Sequence, residues 1–168
     1  RRAVSRVVGI AKAYTTRVGS GPFLTELLDD VGERIRQVGG EYGTTTGRPR
    51  RCGWLDLPIL RYATRVNGLD EIALTKLDVL SGLERIKVAV AYERAGERVT
   101  HFPAEFGVDA QWQPVYEEMP GWMGEIRTAR RRDELPPAAQ DYVALIEQEI
   151  DVPVTFIGVG PERTQTIL

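Results

Sequence analysis

Thr44-Thr45-Thr46-Gly47-Arg48-Pro49-Arg50-Arg51 places three hydroxyls, a glycine and three guanidiniums within eight residues. Its chemistry is anion capture. A guanidinium presents a planar fork that meets a carboxylate or phosphate in two parallel bonds. Threonine hydroxyls and the backbone N–H groups around Gly47 add donors with little bulk. Pro49 fixes one backbone angle between two arginines and so limits what a ligand must order. No periodic apolar pattern runs through the stretch, which predicts a loop. The same residue types also suit a solvated basic loop or a patch for nucleic acid.

Thr75-Lys76-Leu77-Asp78, directly after the apolar Ile72-Ala73-Leu74, is a second candidate. A carboxylate at a strand end can accept from the N1–H and N2–H₂ edge of guanine, and adenine lacks that pair of donors. The stem of Lys76 can cover a base while its ammonium stays in water. A surface lysine–aspartate pair would look the same. Gly158-Val159-Gly160-Pro161 follows another apolar run, and glycines there permit close approach to a flat ligand, or make a plain strand-to-helix turn. In open α/β sheets ligands bind beyond the carboxyl ends of strands. The Val18 turn, the Asp78 turn and the Gly160 turn can all sit there. His101 lacks partners at metal spacing and reads as structural or exposed. Cys52 has arginine neighbours that can lower its pKa but no histidine partner, and it can as easily be a small core residue as a reactive one; Arg130-Arg131-Arg132 before Asp133-Glu134 reads as a solvated charge run. No GxxxxGK[ST] phosphate loop occurs.

These turns need elements to hold them. Val7 to Tyr14 is a short β-branched run, predicting a strand that enters the glycine-rich loop Thr15–Pro22. Thr25 can cap a helix reaching Val38, with Leu27, Leu28, Val31, Ile35 and Val38 at helical spacing and Gly39-Gly40 as its stop. A second helix is predicted from Leu55 to Val66, with Asp56 in its first turn and Asn67-Gly68 at its end. Ile72–Thr75 is a buried strand. Arg85–Tyr92 and Val99–Phe102 form a hairpin about Ala95-Gly96. Ala104–Arg132 has little periodicity and reads as an irregular excursion packed by aromatics. A helix follows from Pro136 to about Ile150, with Tyr142, Leu145, Ile146 and Ile150 inward. Val152–Ile157 is the last strand. The order predicts an α/β fold: a mostly parallel sheet with flanking helices and one antiparallel hairpin.

The chain of 168 residues is expected to form one domain or a large piece of one, and 42% apolar content is enough for a core. A net charge of −2 argues against a general nucleic-acid binder. The single cysteine leaves no internal disulfide, which predicts a reducing, cytoplasmic compartment. No apolar run approaches the ~20 residues of a membrane span. The start Arg1-Arg2-Ala3-Val4-Ser5-Arg6 lacks the apolar stretch of a signal peptide. It also lacks an initial Met, which fits a start inside a longer protein and equally a trimmed form.

A set of motifs in fixed order resembles the adenylosuccinate synthetases. It comprises Lys12-Ala13-Tyr14-Thr15-Thr16-Arg17-Val18-Gly19, Gly21-Pro22-Phe23, Thr45 to Arg51, Gly53-Trp54-Leu55-Asp56, Leu74 to Leu80, Met119-Pro120-Gly121-Trp122 and Gly158 to Pro161. The resemblance implies that residues 1–168 are the carboxyl-terminal part of a single synthetase domain with a P-loop-NTPase-like fold. That family joins IMP to L-aspartate with GTP and Mg²⁺ in AMP biosynthesis and works as a homodimer. By resemblance, Thr44, Thr45, Thr46, Gly47, Arg48, Pro49 and Arg50 form the loop that holds aspartate. Arg48 also reaches IMP and Arg50 also reaches GTP. Val18 lies near the IMP ribose. Lys76, Leu77 and Asp78, with Gly158, Val159 and Gly160, recognise guanine.

The resemblance places the phosphate loop, the catalytic base and acid and the Mg²⁺ ligands outside this chain. The expectation is therefore no catalytic residue and no metal ligand here, and no activity from the chain alone. Leu24 departs from the family's usual proline, a minor backbone change. The competing expectation is a non-enzymatic module that uses Arg48 to Arg51 on RNA or on an acidic partner. Neither membrane nor nucleic acid is expected as a partner under the ligase reading.

Overall fold

The computed structural model describes residues 4–103, 105 and 111–168. In chain order the elements are β1 (Val8–Lys12), β2 (Thr15–Arg17), α1 (Asp30–Gly39), β3 (Arg51–Gly53), β4 (Leu55–Asp56), α2 (Leu57–Asn67) and β5 (Glu71–Thr75). Then come β6 (Arg85–Arg94), β7 (Glu97–Val99), β8 (Gln113–Pro120), α3 (Pro137–Ile150), β9 (Val154–Gly158) and β10 (Thr166–Ile167). Short 3₁₀ turns lie at Leu77–Leu80 and Arg132–Glu134. The chain divides into two compact units, one of Arg1–Ala13, Leu60–Ile86 and Met119–Leu168, the other of Tyr14–Ile59 and Lys87–Glu118.

The first unit is built on a sheet ordered β1-β5-β9-β10. β1 pairs parallel with β5, and β5 parallel with β9. β10 returns antiparallel on β9, with Thr166 opposite Gly158 and Ile167 opposite Ile157. Strands buried in a parallel sheet read as continuous apolar runs. Ile72, Leu74, Val154 and Ile157 accordingly lie in the core, with Ala139, Tyr142, Val143, Ile146 and Ile150 of α3. The buried Tyr142 hydroxyl donates to the Ala13 carbonyl at 2.6 Å, and Arg61 joins α2 to α3 through the carbonyl and carboxylate of Glu149. Among the described residues β1 pairs only with β5, and its Val8 and Ile10 are 42% and 80% exposed.

In the second unit β2 pairs antiparallel with β3, Thr16 opposite Cys52. β4 pairs parallel with β6, β6 makes an antiparallel hairpin with β7, and β8 also pairs β6. Ala95 and Gly96, both at positive φ, form the two-residue turn that suits the twist of a hairpin. Asp56, 3% exposed, accepts at one oxygen, Oδ1, from the Ile59 N–H and from the Tyr92 hydroxyl. One carboxylate thus caps the start of α2 and ties it to β6.

The α/β class, the parallel pairing and a hairpin about Ala95-Gly96 agree with the sequence, although the second strand of the hairpin is Glu97–Val99 and not Val99–Phe102. Several details differ. Thr25 caps no helix: it is fully buried, its hydroxyl has no partner among the described residues, and its carbonyl accepts from Trp54 N–H. The cap is Asp29, whose carboxylate accepts from Gly32 N–H, and α1 ends on Gly40 in the left-handed region as expected. Leu28 and Val38 are therefore exposed, and Ile35 carries the buried face. Thr15–Arg17 is a strand rather than loop, because Arg51–Gly53 supplies it with a partner distant in sequence. Leu55 and Asp56 are strand, so α2 starts two residues later. Gln113–Pro120 is an eight-residue strand inside the segment read as irregular. Trp112 and Trp122 in that segment are buried, as the aromatic packing predicts; Ala104 and residues 106–110 of it lie outside the described residues.

Candidate functional site

The threonine–arginine stretch leaves α1 through Gly40 and returns into β3. Its base is closed by main-chain bonds, with Arg50 N–H donating to the Glu41 carbonyl at 2.9 Å and Tyr42 bridging Pro49. Gly43 N–H donates to Arg48 O and Gly47 N–H to Gly43 O, while Gly47 takes φ 64, which favours glycine. The Thr46 hydroxyl accepts from Arg48 N–H at 3.3 Å. Thr44 through Pro49 are all exposed. Beside this loop lies a cleft of about 190 Å³, lined by Val18, Thr46, Arg48, Pro49 and Arg50 together with Arg17.

The three guanidiniums of the loop have different neighbours. Arg51 is bidentate on Glu26, at 2.7 Å from Nε and 2.5 Å from Nη2, and its Nη1 donates to the carbonyls of Gly19 and Gly21. Its guanidinium also sits 5.4 Å from the centre of the Phe23 ring. Those bonds hold the Glu26 carboxyl below its ordinary pKa, and Glu26 in turn raises Arg51. Arg50 is shared. Its Nη1 donates at 2.8 Å to Glu41, whose side chain is fully buried and whose other oxygen accepts from the Tyr14 hydroxyl at 2.7 Å. Arg36 steadies the same corner by donating to the Arg50 carbonyl. The Arg48 guanidinium has no partner among the described residues. Of the three it is the one most able to take a ligand's carboxylate without giving up a bond.

The other predicted residues lie in the first unit. Lys76 takes φ 61, a left-handed step that turns the chain out of β5 into the 3₁₀ turn Leu77–Leu80. Leu77 is fully buried. Asp78 is nearly so, and its Oδ2 accepts from Arg127 Nε at 3.1 Å and Nη2 at 3.0 Å. The Trp122 indole donates to Ser81 Oγ at 3.0 Å just beyond the turn and packs edge-on to Tyr142. Gly158, Val159 and Gly160 leave β9, the parallel neighbour of β5. A Cβ on Gly158 would lie 3.3 Å from the Cα of Thr75, and one on Gly160 would run into the Gln165 side chain. Gln165 closes this loop: its carbonyl accepts from Val159 N–H and its amide oxygen from Glu162 N–H. The loop is a hairpin connection from β9 to β10, not a strand-to-helix turn.

Of the predicted residues, Val18, Thr46, Arg48, Pro49 and Arg50 share one cleft, with Thr44, Thr45 and Gly47 on the same loop. Lys76, Leu77 and Asp78 share the carboxyl edge of β5 and β9 with Gly158, Val159 and Gly160. Leu77 and Val159 are core side chains, so only their backbones can face a ligand. Sequence reasoning missed Glu41, Arg17 and Arg127. Glu41 carries a signal in hindsight, an acidic residue beside a cationic loop. Arg127 carries none, being 49 residues from Asp78. His101 is exposed, as read, and Cys52 is fully buried, a core residue. Arg132 is more than solvated, since it pairs with Glu147 of α3 at 2.6 Å.

The family model described as Adenylosuccinate synthetase matches residues 1–167. The adenylosuccinate synthetase of Geobacter sulfurreducens is 54% identical over 99% of this chain and 39% of its own length. That of Carboxydothermus hydrogenoformans is 55% identical over 98% of this chain and 39% of its own. Among solved structures, fully ligated adenylosuccinate synthetase from Plasmodium falciparum superposes with a TM-score of 0.93 at 49% identity, covering 98% of this chain and 40% of that one. The chain thus spans about two fifths of the length of these relatives. Nothing in these comparisons favours an RNA-binding or acidic-partner module. With motifs, topology and similarity in agreement from one end to the other, the chain belongs to the adenylosuccinate synthetase family.

Proposed function

We propose that this chain supplies the aspartate loop and the guanine-recognition edge of a GTP-dependent ligase, which joins IMP and L-aspartate to form adenylosuccinate in AMP biosynthesis. In this reading residues 1–168 are the carboxyl-terminal part of one synthetase domain and are inactive alone. In the reaction, the γ-phosphoryl group of GTP passes to O6 of IMP and GDP remains. The aspartate amine then bonds to C6, the C6–O6 bond breaks and phosphate leaves. The enzyme would act in the cytoplasm, as a homodimer.

Two roles fall to this chain. Arg48 and Arg50, with the hydroxyls of Thr44, Thr45 and Thr46, neutralise the aspartate carboxylates and bring the amine to the activated carbon. Val18 borders the same cleft, in reach of the IMP ribose. Closure of the exposed loop excludes water and so protects a phosphorylated intermediate. Asp78 accepts from guanine N1–H and N2–H₂, Lys76 covers the base, and the glycine loop Gly158 to Gly160 admits it edge-on. Mg²⁺ would be held by residues outside this chain. No cluster of three or more metal-ligating side chains occurs among the described residues, and neither role involves the ion.

One observation carries the proposal: a cationic loop bordering a cleft, with the Arg48 guanidinium unengaged among the described residues while its neighbours are held. In an enzyme of full family length carrying this chain, Arg48→Leu is expected to raise the KM for both aspartate and IMP by tenfold or more, on the order of the 1.5–3 kcal/mol of a charged hydrogen bond. Unchanged kinetics for both substrates would remove the loop from the site.

A further inference from the structure

Asp78 is engaged in a way that constrains how it can read a base. Its side chain is 6% exposed, and both donors of Arg127 fall on the same oxygen, Oδ2. Two N–H bonds use both lone pairs of that oxygen. A base offering two parallel donors needs one lone pair on each oxygen. With Arg127 in place, a two-donor base cannot pair fully, whereas a one-donor base can still use Oδ1.

Resting on the assignment of Asp78 to guanine, we infer that Arg127 is a displaceable plug at the base-recognition carboxylate, a positioning residue that sets how strongly the 2-amino group is rewarded. The side chain has room to leave, being 42% exposed. It also has a second acceptor. Glu125 Oε1 lies 3.8 Å from Arg127 Nε, its side chain is 64% exposed, and the same oxygen already accepts the Arg127 backbone N–H at 3.1 Å. The Arg127 carbonyl is fixed by Arg130 Nη1 at 2.8 Å. A swing of the guanidinium from Asp78 to Glu125 therefore requires no main-chain movement. The plug burdens guanine, which needs both carboxylate oxygens, and leaves hypoxanthine unburdened. The carboxylate stays paired whenever the base is absent, which avoids stranding a buried charge.

The test is equilibrium binding of GTP and of inosine triphosphate to the full-length enzyme. Arg127→Met is expected to tighten GTP about threefold to fivefold, a modest gain because the arginine end of the pair is open to water, and to leave inosine triphosphate unmoved. Glu125→Gln, which weakens the alternative acceptor, should loosen GTP alone. If both nucleotides shift together in Arg127→Met, the arginine acts as a distant charge and the plug is overturned. Weaker or unchanged GTP binding overturns it as well. Asp78→Asn separates the two levels: it should erase the preference for GTP over inosine triphosphate. Retention of the parental preference would defeat the guanine role of Asp78 itself, whatever Arg127 does.

Discussion

Arg48, Arg50 and Arg51 show how residues of one type, adjacent in sequence, come to do different work. Arg51 is tied to Glu26, to two carbonyls and to the face of Phe23, so its role is to hold the turn from Gly19 to Glu26 against β3. Arg51→Leu should lower stability by about 1–3 kcal/mol and leave ligand affinities nearly unchanged; urea unfolding beside substrate titration checks both. Arg48→Leu should do the reverse. The pair also sets a pH dependence. Glu26 has a lowered pKa in the folded chain relative to its ordinary 4.5. The unfolded chain therefore takes up its proton first as pH falls, and the stabilisation present above pH 4.5 is lost as pH drops through the folded value. Glu26→Gln is expected to flatten the stability–pH slope below that point, and an unaltered slope would rule out this contribution. Glu147 adds in the same direction: burial raises it, but Arg132 and the Val154 N–H outweigh burial.

At the scale of elements, a few polar contacts decide how secondary structures meet. Tyr92 is fully buried on β6 and donates at 2.6 Å to the carboxylate that caps α2. Tyr92→Phe removes a charged hydrogen bond from a buried carboxylate, an expected loss of about 1.5–3 kcal/mol in a denaturant titration. Gly121 has a steric reason: a Cβ there would strike the Leu83 carbonyl oxygen, so its place in Met119-Pro120-Gly121-Trp122 reflects close backbone packing. These relations also explain what was legible in the sequence. The strands with continuous apolar runs, the hairpin turn at Ala95-Gly96 and the helix stop at Gly40 announce themselves locally. The two loops proposed to bind ligands stand out in the sequence because their residue types suit anions and base edges. What the sequence could not announce depends on distant partners. Thr15–Arg17 becomes a strand only because Arg51–Gly53 lies against it, and Gln113–Pro120 because it joins β6. Thr25 has the composition of a cap, yet Asp29 does the capping and Thr25 is buried, with its carbonyl bonded to Trp54 N–H. Arg127 meets Asp78 across a separation that no local pattern encodes.

At the scale of the whole molecule, the two proposed sites fall in different compact units, the threonine–arginine loop in one and the edge of β5 and β9 in the other. Each carries its own internal ties. In the unit of the threonine–arginine loop, Tyr14 and Arg50 converge on buried Glu41. In the unit of β5 and β9, Trp122 and Arg127 brace the turn after β5. The parallel sheet of that unit nevertheless ends on β1, which pairs only with β5 among the described residues and presents Ile10 at 80% exposure. An unpaired strand edge with bare apolar side chains is a template for other strands. Handled by itself, the 168-residue chain should therefore be colloidally fragile: light scattering is expected to grow with concentration, and Ile10→Lys to suppress that growth. Equal scattering from parent and variant would show that β1 is not where molecules of this chain stick together.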